Sequence, residues 1–196
     1  DLYENFFIRI VRGSGLKGLA SLNKTNQINK INLIRPLLAF DKSDLIFISK
    51  YVFNFYVSDP SNNDFKYTRV RIRSFIEELK KEGFDKNKLF LTISNLRRSN
   101  ETLLFYVEQN KKLNSFLNRN KNELILNENF FKNPYEVTFR SMTDSIKIIG
   151  GKYNAVRGKK IDNILNRIEN NVLIRETLGG CVIKKLNQTV IISKED

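Results

Sequence analysis

The stretch DPSNNDFKYTRVRIR, residues 59–73, joins a polar turn to the start of a basic helix. Its proline, serine and asparagine residues favour local side-chain-to-backbone hydrogen bonds, which predicts a turn at its beginning. Helical spacing then places Arg69 and Arg73 on one face and Arg71 nearly opposite. Because a guanidinium offers a rigid fork of hydrogen-bond donors, inward-facing arginines beside this turn suit a phosphate or carboxylate ligand.

The same stretch also fits a purely structural interpretation. Asp64 or Thr68 could be the N-cap of a solvated basic helix, with no ligand involved. In the functional interpretation, Asn62 can both donate to and accept from a substrate, and Asp64 can orient Arg69 or Arg73. The spacing alone leaves both interpretations open.

The composition indicates a soluble, basic chain of 196 residues with a formal net charge of +13. Such a charge favours a polyanionic partner such as nucleic acid, although a genome biased toward lysine, asparagine and isoleucine codons could also produce it. The lack of histidine excludes imidazole acid–base chemistry and histidine-ligated zinc within the chain. A single cysteine excludes an internal disulfide and fits a reducing, cytoplasmic compartment. No apolar run approaches the ~20 residues of a membrane-spanning helix.

Hydrophobic periodicity predicts alternating helices and strands before residue 81, as at the end of a parallel α/β sheet, and mainly helices after it. The predicted helices are 2–11, 44–52, 67–81, 87–117 (as one helix or two), 135–149 and 157–168. The predicted strands are 31–34, 53–57, 173–178, 181–186 and 189–192, and a polar loop is predicted at 21–29. The first helix is expected to bury Leu2, Phe6, Phe7 and Ile10 and to keep Glu4 off its apolar face.

Three motifs, in order along the chain, resemble those of the tRNA(Ile)-lysidine synthase family of the PP-loop ATPase superfamily. The residues that match the signature SNxDxxYxRNxIR are Ser61, Asn62, Asp64, Tyr67, Arg69, Ile72 and Arg73. Residues 1–19 are similar to DDQxETxxxRxxRGSGxxGL and residues 35–38 to RPLL. The TLGGC sequence at 177–181 resembles the C-terminal region of alphaproteobacterial members. The chain departs from the pattern at Leu2, Asn5 and Val70, where the family has glutamine, threonine and asparagine.

The resemblance implies a fold and a domain boundary. Residues 1–80 would be an α/β C-terminal remnant of a PP-loop, Rossmann-like domain. Residues 81–196 would form a mainly α-helical, basic tRNA-binding region that ends in a small β-hairpin region. The family's SGGxDS phosphate loop would lie outside the chain, as in the C-terminal part of a longer protein or a gene fragment. Residues 1–196 alone are therefore expected not to turn over ATP.

The resemblance also implies a reaction. A cytoplasmic ligase would join free lysine to the wobble cytidine of a tRNA(Ile) with a CAU anticodon, forming lysidine, with ATP and Mg²⁺ as cofactors. The oxygen at position 2 of the cytosine would attack the α-phosphate, and the lysine ε-amine would then displace AMP.

The family motifs assign expected roles to particular residues of this chain. The residues expected to be catalytic are Asp1, Glu4, Asn62 and Arg73. The residues expected to bind the cofactor are Arg12, Gly13, Ser14 and Gly15, whose amides could form an anion cradle. Those expected to bind tRNA or another substrate are Asp64, Arg69 and Arg71, and no metal ligands are expected. Each group has a structural alternative, namely a helix C-cap at the glycines and a helix-dipole charge pattern at the acids.

Two rival functions remain from the sequence. The chain could come from another PP-loop tRNA-modifying enzyme, such as a thiolase, although one lone cysteine, Cys181, argues against sulfur chemistry. Because Cys181 lies in a strand pattern, we expect it in the core. The other rival is a non-catalytic basic RNA-binding fragment.

Overall fold

The structure is a computed structural model that describes residues 2–20, 25–28, 31–40, 42–118, 122–151 and 156–195. The chain divides into two compact units, Asp1–Asn100 and Glu101–Asp196. The predicted domain boundary between residues 80 and 81 stays a prediction, since compactness alone does not show where one domain family ends. None of the described helices combines the length and the hydropathy that crossing a lipid bilayer requires.

The first unit contains helices and a β-hairpin. Its elements are α1 (Leu2–Val11), α2 (Leu16–Leu19), β1 (Thr25–Ile28), β2 (Ile31–Ile34), α3 (Lys42–Phe53), α4 (Thr68–Lys81) and the first part of α5 (Lys86–Asn114). Short 3₁₀ helices lie at Pro36–Ala39 and Pro60–Asn63. The helices predicted at 2–11, 44–52 and 67–81 and the strand at 31–34 are thus confirmed.

Two local predictions in this unit are wrong. The strand predicted at 53–57 is absent because α3 continues to Phe53 and Asn54 then takes a positive φ of 57°. Within the polar loop predicted at 21–29, residues 25–28 form β1, which pairs antiparallel with β2 from Thr25 opposite Ile34, and the other residues of that loop lie outside those described. The strands described in this unit therefore form an antiparallel hairpin, and the parallel sheet expected of an α/β remnant is not found among them.

Helix α1 is the centre of the first unit because it is packed from two sides. Leu2 and Phe6, one turn apart, contact Leu89 and Ile93 of α5. Another part of the α1 surface packs against α4, where Ile8 contacts Ile72 and Ile76.

This two-sided packing changes the expected burial pattern of α1. The Glu4 residue is 7% exposed, whereas Ile10 is 46% exposed, the reverse of the prediction for both. The prediction assumed one apolar face, whereas α1 is covered on two sides.

The second unit packs helices against an antiparallel sheet. Its elements are the last part of α5, β3 (Ser115–Asn118), β4 (Glu123–Leu126), α6 (Tyr135–Gly150), α7 (Gly158–Glu169), β5 (Arg175–Leu178), β6 (Cys181–Leu186) and β7 (Thr189–Lys194). The five strands have the order β3-β4-β7-β6-β5. Residues of α6, α7 and the sheet, among them Ile146 and Ile183, share one core with Phe130 of the 3₁₀ helix Glu128–Phe131.

The second unit confirms the predicted helices and C-terminal strands but has a larger sheet than expected. The missed strands are β3 and β4, and the segment predicted as one helix or two is a single helix that ends at Asn114. Strand β4 pairs with β7, so that Leu126 lies opposite Val190. A pairing so distant in sequence leaves no trace in local periodicity, which explains why a small hairpin region was expected.

The TLGGC sequence forms the tight β5–β6 turn. Gly179 and Gly180 have φ values of +66° and +80°, which side chains other than glycine rarely adopt. A Cβ atom on Gly150 of α6 would clash with the Gly179 carbonyl oxygen, so glycine permits the close approach. Cys181 is fully buried and its thiol donates to the Ile146 carbonyl oxygen at 3.3 Å, which confirms its place in the core.

Candidate functional site

An ion pair joins α1 to α4 at the residues expected to be catalytic. The Arg73 Nε atom donates to Glu4 Oε1 at 2.6 Å, and Arg73 Nη2 lies 3.5 Å from Oε2. The Glu4 side chain is 10% exposed and that of Arg73 is 36% exposed. Glu4 lies one turn before Ile8, on the face of α1 that packs against Ile72 and Ile76 of α4, and a carboxylate buried there needs a cationic partner.

A cavity of about 540 Å³, which we call the Glu4 cavity, opens beside this ion pair. It combines one carboxylate with several cations and an apolar surface. The residues that matter chemically are Glu4, Arg35, Leu37, Phe40, Lys42 and Arg73. This mixture of groups is complementary to a ligand that carries an ammonium group, an aliphatic stem and a carboxylate.

A second cavity of about 340 Å³, which we call the Asn62 cavity, lies between α1, the 60–63 turn and α4. Its lining includes Arg12, Asn62, Arg69 and Arg73. Three guanidiniums and one amide make this cavity suited to an anionic ligand. Arg69 and Arg73 therefore share a helix face, as their spacing predicts. Arg73 lines both cavities, and it also lines a third one of about 620 Å³ with Glu4 and Lys80.

The turn before α4 is held by its own side chains. The carboxylate of Asp59 accepts from the Ser61 backbone N–H at 2.9 Å, and this bond lowers the pKa of Asp59 below its ordinary value of 3.8. Asp64 Oδ1 accepts from the Lys66 N–H at 2.9 Å. The N-cap of α4 is Tyr67, without a side-chain cap, so the interpretation that placed the cap at Asp64 or Thr68 is wrong.

Arg71 points back over the same turn. Its Nη1 atom donates to the carbonyl oxygens of Phe65 and Lys66 at 2.8 and 2.9 Å, and Nη2 donates to Thr68 Oγ1 at 3.2 Å. Arg71 and Asp64 thus hold the turn before α4 through hydrogen bonds. Their contact with tRNA stays a prediction.

The RGSG segment ends α1. Gly13 has a φ of +68° and donates to the Ile10 carbonyl oxygen, and the Ser14 N–H donates to the Arg9 carbonyl oxygen at 2.9 Å. This is the Schellman arrangement, which confirms the C-cap interpretation. The amides of Gly13 and Ser14 are therefore engaged within the chain, contrary to the predicted anion cradle. Cofactor binding by Arg12, Gly13, Ser14 and Gly15 stays a prediction, and Arg12 is the member that lines the Asn62 cavity.

Some expected residues lie outside the site and some site residues were missed. Asp1 lies outside the described residues, so its catalytic role stays a prediction. Within the described ranges, no group of three or more Cys, Asp or Glu side chains is placed to hold a metal ion. Sequence reasoning gave no role to Arg35, Phe40 or Lys42. The RPLL motif was the available signal, because Arg35 begins it and the other two follow closely.

Comparisons with known proteins identify related sequences. Residues 1–80 match the PP-loop domain family. A tRNA(Ile)-lysidine synthase from Wolbachia sp. subsp. Brugia malayi is 30% identical over 203 aligned residues, which cover 100% of this chain and 46% of that relative. The corresponding proteins of Wolbachia pipientis wMel and Rickettsia akari are each 30% identical and are covered to 46% and 45%.

The alignment covers the whole of this chain but only part of each relative. The chain spans about half the length of the curated relatives it matches. The aligned relatives include alphaproteobacteria, in agreement with the resemblance of the TLGGC sequence. The chain is thus similar along its length to curated tRNA(Ile)-lysidine synthases, and its residues 1–80 match the PP-loop domain family.

Proposed function

We propose that the protein takes part in the ATP-dependent ligation of lysine to the wobble cytidine of a tRNA(Ile) with a CAU anticodon. The observation that supports this most directly is that the Glu4 cavity and the Asn62 cavity share Arg73. One cavity has the groups that an amino acid needs, and the other has the groups that a phosphate needs. The two reactants of the second step, lysine and the adenylated base, would therefore meet at one guanidinium.

Free lysine fits the chemistry of the Glu4 cavity. The ε-ammonium group of lysine would contact Glu4, whose two oxygen atoms offer more acceptor positions than Arg73 uses. Its aliphatic stem would lie against Leu37 and Phe40, and its carboxylate would face Arg35 or Lys42. After binding, Glu4 would accept the proton that the ε-amine must lose before it attacks.

The adenylated base would occupy the Asn62 cavity. Arg12, Arg69 and Arg73 would neutralise charge on the phosphate as AMP departs, which is the electrostatic role that catalysis most often requires. Asn62 would hydrogen-bond the base or the amino acid, because an amide both donates and accepts. ATP with Mg²⁺ would supply the adenylyl group, and the residues described here would contribute arginines to its phosphates rather than metal ligands.

The rival thiolase function finds no support in the site. Cys181 is the chain's one cysteine, is fully buried in the second unit, and donates its thiol hydrogen to a backbone carbonyl. A sulfur-transfer role needs an accessible, activated thiolate. We therefore keep lysidine formation as the proposed function.

The test is pyrophosphate release that depends on lysine and on a tRNA(Ile) transcript with a CAU anticodon. We expect no turnover by residues 1–196 alone. We expect turnover when the chain is expressed together with the additional segment that its relatives carry. Ornithine, which is one methylene shorter, should react poorly if the carboxylate and ammonium contacts are fixed at lysine length. Turnover without lysine, or with a tRNA of any anticodon, would contradict the proposal.

Binding of tRNA gives a second measurement on the chain itself. If basic residues contact the phosphates, log affinity should fall with log salt concentration by about 0.7 to 0.9 per phosphate neutralised. A flat salt profile would contradict a tRNA-docking role for this chain.

A further inference from the structure

The five-stranded sheet of the second unit has one face covered by helices and one open face. Ile183 of β6 and Ile192 of β7 stand opposite each other and belong to the core that the sheet shares with α6 and α7. Side chains alternate between the two faces along a strand, so the next pair, Lys184 and Ile191, points away from those helices. We call the side that carries Lys184 and Ile191 the open sheet face.

One row of side chains crosses all five strands of the open sheet face. Each member stands directly opposite the next, and in sheet order they are Phe116, Ile125, Ile191, Lys184 and Arg175. Phe116 is 67% exposed, the two isoleucines are partly exposed, and the two cations are exposed. The row, which we call the cross-strand row, thus passes from an aromatic ring over two aliphatic side chains to two positive charges.

The two cations at the end of the row lack a counter-charge within the described residues. Lys184 and Arg175 stand directly opposite each other, and like charges in that position destabilise a sheet. Glu176, the neighbour of Arg175, points to the other face and pairs with Arg167 of α7. Among the described strands, the acidic residue of the open sheet face is Glu123 on β4, two strands away from Lys184. An anion between Lys184 and Arg175 would relieve their repulsion.

The length and chemistry of the cross-strand row fit a segment of unpaired RNA. Adjacent strands lie about 4.8 Å apart, so the distance from Phe116 to Arg175 is about 19 Å, which is longer than one nucleotide. Unpaired bases stack on exposed aromatic side chains while basic residues hold the phosphates. A duplex hides the faces of its bases, so it would leave Phe116 and the isoleucines without a partner.

The charge of the row favours a polyanion over a second copy of the chain. Each copy would bring its own Lys184 and Arg175, together with a net charge of +13, and like charges oppose such association. A nucleic acid strand is attracted by the same charges. An acidic polypeptide would also satisfy the two cations, and the test below includes one as a competitor.

We propose that the open sheet face binds a single-stranded RNA segment, with a base stacked on Phe116 and a phosphate between Lys184 and Arg175. Ile125 and Ile191 form the apolar floor under the nucleotides between these two contacts. The proposal extends the proposed function and rests on it in one respect, namely that a tRNA would supply the unpaired nucleotides. The RNA contacts it names lie wholly within the second unit.

The test measures the fluorescence anisotropy of a labelled oligouridylate on binding to the 196-residue chain. An oligonucleotide of about ten nucleotides is within the ~4–16 nucleotides that a single-strand-binding domain covers. We expect binding, and we expect a blunt RNA duplex and polyglutamate to compete more weakly than unlabelled oligouridylate. Neither ATP nor lysine is present, so failure of this binding can be told apart from failure of the ligation reaction.

An aromatic substitution tests the stacking contact. Phe116→Ala should weaken binding by at least ~5-fold, which is the lower end for loss of one base–aromatic stack. The control is Phe105→Ala, because Phe105 is a 59% exposed aromatic residue on α5 in the same unit. This control should leave the affinity unchanged.

Substitution of the cations separates RNA binding from a structural role. Arg175→Gln and Lys184→Gln should each reduce the slope of log affinity against log salt concentration by about 0.7, the contribution of one phosphate in a single strand. Without RNA, neither change should lower the free energy of unfolding, because each removes a repulsion between opposed cations. Lys147→Gln, which changes an exposed cation on α6, is the matched control and should leave the slope unchanged.

Three outcomes would overturn the proposal. The chain could fail to bind the oligouridylate, or Phe116→Ala could weaken binding no more than Phe105→Ala does. Alternatively, the duplex or polyglutamate could compete as well as the single strand, which would assign the open sheet face to duplex RNA or to an acidic protein.

Discussion

The second unit and residues 31–67, which we call the uncovered segment, contain similar kinds of side chain but bury them very differently. In the second unit, α6, α7 and the sheet enclose a core in which Phe130, Ile146 and Ile183 are inaccessible to solvent. In the uncovered segment, α3 has no buried residue. The difference shows that apolar composition predicts a tendency to be buried, whereas burial itself depends on which other elements pack against the segment.

The largest expected difference in stability is between alanine substitutions of two isoleucines, one in α6 and one in α3. Ile146→Ala in α6 removes a fully buried side chain and should lower the free energy of unfolding by about 2–5 kcal/mol. Ile48→Ala in α3, where the side chain is 49% exposed, should change it by less than about 0.5 kcal/mol. Urea unfolding followed by circular dichroism measures both. Equal losses would show that α3 is packed within the chain after all.

A smaller loss of stability is expected when the ion pair between the packed helices α1 and α4 is removed. Arg73→Met leaves the Glu4 carboxylate buried without its cation and should lower the free energy of unfolding by about 1–3 kcal/mol. Arg69→Met is the control, because it changes an exposed arginine on the same face of α4. Hydrogen exchange in α1 and α4 gives the measurement. A similar loss for both variants would mean that the ion pair does not hold α1 to α4.

The second unit should also have a pH response at high pH. The Tyr135 hydroxyl donates to Asp162, and this bond raises the pKa of Tyr135 from 10.0 to about 12. Because the folded pKa lies above the unfolded one, the stabilisation is complete below about pH 10 and is lost as the pH rises through 12. Absorbance at the phenolate band should show the late titration of Tyr135. Asp162→Asn should move that titration to lower pH, and an unchanged curve would exclude the bond.

The smallest effect is expected at Asp59 in the uncovered segment. Its pKa is lowered by the bond from the Ser61 N–H, so the stabilisation of the turn is present above the ordinary pKa of 3.8. It is lost as the pH falls through the lower, folded value. A carbon-13 NMR titration of the carboxyl group measures this directly, with Asp59→Asn removing the signal. A midpoint at or above 3.8 would show that the turn is open in solution.

Local patterns predicted most helices and the C-terminal strands, because amphipathic spacing and glycine turns are visible within a few residues. They failed where a distant partner decides the structure. Strands β3 and β4 depend on pairing with β7, and the burial of Glu4 depends on helices that approach α1 from two sides.

The candidate site was also predictable only where local spacing or a motif determines it. The spacing of Arg69 and Arg73 placed them on one helix face, but it could not show that Arg73 reaches Glu4, 69 residues earlier in the chain. The motifs named Asn62 and Arg12, whereas Lys42 and Phe40 follow the RPLL motif and received no role until the fold placed them at the Glu4 cavity. The amides of Gly13 and Ser14 were assigned to a ligand because their use in closing α1 is a matter of backbone geometry.

The position of Arg73 between two cavities makes their occupants thermodynamically linked. An anion in the Asn62 cavity would interact with the Arg73 guanidinium and so weaken its attraction to Glu4. The Glu4 carboxylate would then interact more strongly with an incoming ammonium group. Linkage is reciprocal: each ligand must change the affinity for the other by the same factor. Cooperative loading of amino acid and phosphate would then follow from a single shared guanidinium, without any movement of the backbone.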